Sequence, residues 1–154
     1  MNIEQVEKEI ADYLRPKLEL VGVDVVVLPQ VESDYQKPFD KPKVTVAWSG
    51  EKGEPYAGLG ALHQKVAVRW GFRVQATKLR GEGEVYAIAE EVKRCMIGYR
   101  PTDCDPIYYI SHDPTNFEDN TWEHLVMFEC KTMRVEYREY TPLPLLKKVD
   151  FIEK

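Results

Sequence analysis

The sequence has too few cysteines, too widely spaced, for a disulfide framework or a zinc site. It contains three, an odd count, whereas disulfide-stabilised domains carry paired cysteines. Zinc sites need close pairs such as Cys-x2-Cys or His-x3-His, and no two of the cysteines and histidines stand within four residues of each other. We therefore expect no metal, no cofactor and no disulfide. The cysteine usage favours a reducing compartment.

Long hydrophobic runs and clustered positive charge are also missing. No apolar run approaches the roughly 20 residues of a membrane helix, and the start "MNIEQVEKEI" has neither a basic nor an apolar region of a signal peptide. The formal net charge is −5, with Lys and Arg scattered among Asp and Glu. Nucleic-acid binding needs a clustered basic face. The composition therefore disfavours a membrane or nucleic-acid partner and predicts a cytoplasmic protein.

Recognisable catalytic machinery is absent as well. The three serines (Ser33, Ser49 and Ser111) stand outside any Gly-x-Ser-x-Gly motif. The glycine-rich stretch 50–61, "GEKGEPYAGLGA", lacks the Gly-Lys-Ser/Thr ending of a phosphate-binding loop. Cys104 could pair with His112 or His124 as a nucleophile, but nothing in the sequence indicates an oxyanion hole or a third, orienting residue. We expect no enzyme and no catalytic residue.

Two segments have the apolar spacing of amphipathic helices. The first has a stripe of apolar residues three and four apart, a cap at Asn2, and an expected end at Arg15 because Pro16 follows. The second begins after "GEGE" and is expected to end at Gly98 in a left-handed turn. The apolar stripes are Ile3, Val6, Ile10, Tyr13 and Leu14 in the first helix, and Val85, Ile88, Ala89, Val92, Cys95 and Met96 in the second.

Five further segments read as β-strands, which together with the helices predict an α+β fold. They are residues 23–30, which we expect to be buried, 43–50, 65–79, 106–111 and 121–137. We expect loops at 31–42 and 50–61 and in the acidic stretch "DPTNFEDN". His112 should close the fourth strand. In the last strand the apolar positions change parity after Cys130, which predicts a bulge or bend near Lys131 and Thr132.

Residues 65–79 alternate most strictly. Val66, Val68, Trp70, Phe72, Val74 and Ala76 share one face, which predicts an antiparallel strand with one buried side. Arg69 and Arg73 lie on the other side. That side is either a solvated sheet face or a charged subunit interface or ring lumen, and the sequence leaves both readings open.

Exposed aromatic and apolar residues mark three more candidate contact sites. Tyr35, Phe39 and Tyr56 stand in predicted loops, where they could anchor a partner or pack locally. We expect residues 1–140 to form a single α+β domain and residues 141–154 a tail. The tail is too short for its own core, so it should pack on the domain or on a neighbouring subunit. Its candidate contact residues are Leu145, Leu146 and Phe151.

The segment after the second helix carries a family resemblance. A helix ending in Gly98, Tyr99, Arg100 and Pro101 is followed by Cys104 in a turn. The strand "PIYYIS", the acidic stretch and a strand containing Trp122 and Phe128 come next. This order resembles a family of small proteins of Mu-like phages and prophages, related in fold to phage tail terminators. The resemblance covers residues 3–137, and its motif is a structural signature.

The resemblance implies a mainly antiparallel sheet with two helices packed on one face. It also implies a homo-oligomer, a hexameric ring or two such rings stacked into a dodecamer. Such a ring caps the phage tail tube and contacts other phage tail proteins, either in the bacterial host cytoplasm or in the virion. The alternative is a cytoplasmic binding or adaptor module of prophage origin, with a small enzyme third.

Overall fold

Two helices and five strands make up the computed structural model, which describes residues 1–31, 41–56 and 63–135. The elements, in chain order, are α1 (Ile3–Glu19), β1 (Asp24–Val27), β2 (Lys43–Gly53), β3 (His63–Ala76), α2 (Val85–Met96), β4 (Tyr108–Glu118) and β5 (Thr121–Val135). The predicted α+β class with a mainly antiparallel sheet and two helices is confirmed. Neither helix is long and apolar enough to cross a membrane.

The strands form one sheet in the order β1-β2-β3-β5-β4. β1 pairs with β2 in parallel, and every other neighbouring pair is antiparallel. β3 lies at the centre, and its register with β5 is unbroken from His63 opposite Val135 to Ala76 opposite Trp122. β1 and β4 are therefore the two edges of the sheet.

Both helices cover the same face, the one that the alternation in β3 predicts to be buried. The six β3 residues of that face are at most 3% exposed. α1 contacts β1 and β2, whereas α2 contacts β3, β4 and β5, and the two helices also contact each other. The core between helices and sheet contains Trp70, Phe72 and Phe128, all fully buried.

α1 continues through Pro16, so its predicted end at Arg15 is wrong. Proline lacks the N–H that would bond to the carbonyl four residues earlier, and its ring crowds that carbonyl. Leu14 and Leu18, on either side of it, are both fully buried against the core. The burial of these two leucines outweighs the tendency of Pro16 to end the helix. The predicted cap is confirmed, since the Asn2 side chain accepts a hydrogen bond from the Gln5 N–H (3.1 Å).

The first two strands differ from their predicted extents. β1 has four residues instead of eight and is a half-exposed edge strand, not a buried one, with only Val25 buried. β2 runs on to Gly53, so the predicted loop at 50–61 starts later than expected. A bulge between Trp48 and Glu51 absorbs the irregularity of this extension. Residues 57–61 of that stretch lie outside the described residues.

The acidic stretch "DPTNFEDN" is mostly strand and not a loop. β4 extends to Glu118, and only Asp119 and Asn120 form the turn to β5, with φ angles of 51° and 60°. Positive φ at both residues is the geometry of a tight two-residue hairpin, which Asp and Asn tolerate. His112 therefore lies within β4 opposite Val126 and does not close the strand.

The predicted bulge near Lys131 and Thr132 is also wrong. Thr132 stays on the helix-covered side, 6% exposed, and the ladder passes through it without a shift. Met133 and Val135 are apolar residues on the other side, 45% and 72% exposed. The parity change reflects exposed apolar side chains and not a register change.

The predicted second helix is confirmed in α2. All six residues of its predicted stripe are buried. Gly98 follows the helix with φ of +89°, the left-handed conformation expected at a helix end. Cys104 lies in the predicted turn, joined to Thr132 by an isolated antiparallel bridge.

Replacing Pro16 with Ala should stabilise the protein. Pro16 is exposed, so the change removes no packing, and alanine restores the helix hydrogen bond to Asp12. We expect the free energy of unfolding to rise by about 1–3 kcal/mol, measured by urea denaturation. Gln5→Ala, at another exposed position of α1, should change it by no more than about 0.5 kcal/mol. A lower stability of Pro16→Ala would contradict the account of α1.

Candidate interaction surface on the open face of the sheet

The side of the sheet without helices is called the open face here. Alternate residues of β2, β3 and β5 point to it, on the side opposite the core. Charged residues stand near its ends and small or apolar residues at its centre. Its central members are Thr45, Ala47, Ala67, Arg69, Gly71, Arg73, Gln75, Glu123, Leu125, Met127, Glu129 and Lys131.

Each of the two predicted arginines is paired with a carboxylate of β5. Arg69 Nε lies 3.3 Å from Glu129 Oε1, and Arg73 Nη1 lies 3.3 Å from Glu123 Oε2. Their side chains remain 56% and 44% exposed. Glu123 also accepts hydrogen bonds from Gln75 and Thr115. The two arginines are thus about half-exposed on this face, and carboxylates balance their charge. Their role in an interface or lumen stays a prediction.

The centre of the open face is flat because Gly71 has no side chain. A Cβ there would lie 2.6 Å from the Ser49 hydroxyl and 3.4 Å from Leu125 and Met127 side-chain atoms. These side chains lie over the glycine and leave a strip of small and apolar groups between the ion pairs. Larger residues at position 71 would displace them.

A groove of about 620 Å³ opens at one end of this face, between the bulge of β2 and the strands β3 and β5. Lys131 Nζ lies 2.5 Å from Glu54 Oε1 across it. This hydrogen bond lowers the pKa of Glu54 and raises the pKa of Lys131, so both stay charged near neutral pH. Among the described residues no group of three His, Cys, Asp or Glu side chains could hold a metal ion.

The signature segment after α2 joins the two helices. Tyr99 stacks on Tyr13 of α1 with ring centroids 4.0 Å apart, and its hydroxyl donates to Glu9 (3.0 Å). Burial, followed by the hydrogen bond to Glu9, raises the pKa of Tyr99. The Thr102 N–H donates to the same carboxylate (2.9 Å). These contacts give the segment a structural role.

The rest of the signature also serves packing. Arg100 Nε donates to the Cys104 carbonyl (3.0 Å) and fixes the turn, and Pro101 is buried. Trp122 is half-buried and packs on Phe117, with ring centroids 4.2 Å apart. Phe128 lies in the core in edge-to-face contact with Phe72.

The fold brings together a histidine pair that the spacing did not indicate. His112 Nε2 and His124 Nδ1 are 2.8 Å apart across β4 and β5. Burial, followed by the positive charge of Lys93, lowers the pKa of both rings. Glu90 and Asp113 act in the opposite direction on His112.

Cys104 and Cys130 also meet, at the turn before β4. Hydrogen bonding to the Cys130 sulfur and burial raise the pKa of Cys104, so its thiol stays neutral. Trp70 Nε1 donates to the Cys130 sulfur (3.3 Å). All three cysteines are free and buried, which suits small hydrophobic residues.

Of the other predicted contact residues, the structure describes only one. Tyr56 is 63% exposed, and its role in binding a partner stays a prediction. Tyr35 and Phe39, and the tail residues Leu145, Leu146 and Phe151, lie outside the described residues.

Fold and surface together define the class: a small α+β protein with an open, ion-paired sheet face. The sequence matches the model of the family described as Gp37 protein over residues 12–153. The chain therefore belongs to the Gp37 family, a phage-related family. No curated protein matches it.

One similar solved structure is a chain in the virion of a native gene transfer agent particle. It shares 12% sequence identity with this chain and superposes with a TM-score of 0.52. The match covers 86% of this chain and 92% of that one. At this identity the similarity establishes a shared fold.

Because of the histidine pair, the stability of the protein should decrease as the pH is lowered, before the carboxylates begin to titrate. In the unfolded chain both rings return to a pKa of about 6.5, so the unfolded state takes up protons first. Stability is therefore complete above about pH 6.5 and declines as pH falls toward the lowered folded values. The urea midpoint of the unchanged protein should therefore be lower at pH 5.5 than at pH 7.5.

His112→Asn should reduce this difference, because asparagine takes up no proton between these two pH values. An equal pH dependence in His112→Asn and the unchanged protein would show that the pair is not its source.

Proposed function

We propose that this protein is a ring-forming structural protein of a phage or prophage, of the tail-terminator type, and that it acts without catalysis. The observation that carries the proposal is the extent of the fold similarity, over 86% of this chain and 92% of a virion chain. The shared fold thus extends over nearly the whole of both chains. Membership of the Gp37 family supports the same origin.

The one-sided architecture suits a ring. Identical copies that meet head to tail form a closed ring when the rotation between them closes. The helices on one face and the open face on the other give each copy two different sides. In our proposal the open face, with Arg69 and Arg73, lines the central opening. Because Glu129 and Glu123 pair with these arginines, the lining carries little net charge.

The ring would close the end of a phage tail tube and offer a surface for the next component. Six copies form one ring, and two rings can stack into a dodecamer. Tyr56, which is 63% exposed, would provide a contact for other phage tail proteins, together with Tyr35 and Phe39, which lie outside the described residues. The protein would act in the host cytoplasm during assembly and in the virion afterwards.

Native mass spectrometry with light scattering tests the ring. At micromolar concentration we expect a single species whose mass is six, or twelve, times that of the 17.9-kDa chain. The assembly buries apolar surface, so its mass should persist at moderate salt. A monomer over the whole micromolar range would contradict the proposal and favour the adaptor module.

The tail should contribute to assembly. Its apolar residues Leu145, Leu146 and Phe151 would pack on a neighbouring copy, so deletion of residues 141–154 should lower the association constant at least tenfold. Replacing Lys147 and Lys148 with Ser, which retains these apolar residues, is the matched control and should leave association near its original value. Unchanged assembly of the deletion variant would remove the tail from the interface.

A further inference from the structure

β4 is an edge strand with little burial. None of its eleven residues is buried, and only Ser111 and His112 are half-buried. The pairing with β5 shifts between Tyr109 and Ser111 and again between Pro114 and Asn116. Residues 111–114, called the β4 midsection here, thus pair with β5 between two irregularities, and Pro114 contributes no N–H. Segments with few buried contacts are the ones that open most readily.

Side chains hold β4 on both sides of this midsection. Before it, the Tyr109 ring lies edge-on to the core ring of Phe128, with centroids 6.1 Å apart. After it, Phe117 packs on Trp122, and the Thr115 hydroxyl donates to a β5 carbonyl (3.1 Å). Within the midsection, the side-chain contact with β5 that the structure describes is the histidine pair.

The two rings of the pair meet beneath α2. His112 lies opposite Val126 and His124 opposite Pro114, so the histidines are diagonal neighbours on the helix-covered side of the sheet. Their nitrogens Nε2 and Nδ1 are 2.8 Å apart, and His124 is 6% exposed. A neutral imidazole has one N–H donor and one acceptor nitrogen, whereas an imidazolium has two donors. The contact is therefore a hydrogen bond when neither ring or one ring is protonated, and a repulsive pair of N–H groups when both are.

α2 places one cation beside the pair. The Lys93 ammonium pairs with Glu90 at 2.8 Å, and the lysine side chain is 16% exposed. Burial, followed by the positive charge of Lys93, lowers the pKa of both rings, whereas Glu90 acts in the opposite direction on His112. Tyr86, also on α2, packs on His124 with ring centroids 5.6 Å apart. α2 thus covers the rings and disfavours their charged form.

The strands add one further carboxylate. Asp113 follows the first histidine in β4 and acts to raise the pKa of that ring. Glu123 precedes His124 in β5 but lies on the open face, where it pairs with an arginine of β3. The β3 residue opposite His124 is the uncharged Val74. When both rings are protonated, three positive charges, those of the rings and of Lys93, therefore face two carboxylates.

We propose that the histidine pair is a pH-sensitive switch: when both rings are protonated, the β4 midsection separates from β5 while the rest of the sheet stays paired. A single proton keeps an N–H···N bond, which the charge strengthens, so separation needs the second proton. In the separated state both rings are in water with a pKa of about 6.5, above their lowered values in the closed contact. The closed form is thus complete above about pH 6.5, and separation increases as the pH falls. The inference does not depend on the proposed ring.

Native-state hydrogen exchange of the full-length protein tests the switch. From pH 7.5 to pH 5.0, after correction for intrinsic exchange rates, the protection of those amides of residues 111–113 that bond to β5 should fall at least tenfold. Urea well below the unfolding midpoint should leave this exchange at pH 5.0 unchanged, because a local opening exposes little surface, whereas exchange of the β3 amides should accelerate. Midsection exchange that depends on urea as steeply as that of β3, or equal protection at both pH values, would overturn the proposal.

His112→Gln separates the titration from the packing. The glutamine amide can donate to His124 from the place of Nε2, or accept from it after a flip, but it takes up no proton, so the double charge never forms. The loss of protection between the two pH values should shrink to about threefold or less. Ser111→Ala, at the neighbouring position, is the matched control and should retain the full loss.

A full loss of protection in His112→Gln would contradict the switch. The unchanged protein provides a second measurement that does not require the variant to fold. In NMR titrations, the ring protons of His112 and His124 should both titrate below about pH 6.5. Titration of either ring at or above that pH would equally overturn the proposal.

Discussion

Because β3 pairs along its length with β2 on one side and β5 on the other, the alternation of its side chains decides which face of the whole sheet is buried. Trp70 and Phe72 point to the face that α1 and α2 cover, and each such burial contributes about 1.5–3 kcal/mol. Arg69 and Arg73, on the intervening positions, must then point to the open face. The core and the candidate interaction surface are thus two consequences of one pattern.

The sequence was informative where a pattern acts over many residues and misleading where tertiary contacts decide. The stripes of both helices, the β3 alternation and the left-handed Gly98 were predictable from spacing and conformational preference. Pro16 was not, because the burial of Leu14 and Leu18 keeps α1 helical beyond it. The stretch "DPTNFEDN" has loop composition, yet pairing with β5 makes it a strand. Edge strands such as β4 tolerate Pro114, which a single-sequence reading takes as a loop signal.

The candidate surface was predictable only in part. The two arginines could be placed on one face, but their carboxylate partners lie 60 and 50 residues further along the chain. Only the register of β3 with β5 reveals them, and a closer reading of alternate positions in β5 could have suggested Glu123 and Glu129. The same holds for His112 with His124 and for Cys104 with Cys130. Their sequence separations fit no local motif, and strand pairing creates both contacts.

The Gp37 family membership and the fold shared with a virion chain support the proposed account, in which identical copies form a ring around the open face. Electron microscopy of the purified full-length protein tests that account most directly. It predicts closed rings of uniform size, with the helices outside and the open sheet face around a central opening. Particles of single chains, or rings with the helices facing the opening, would contradict it.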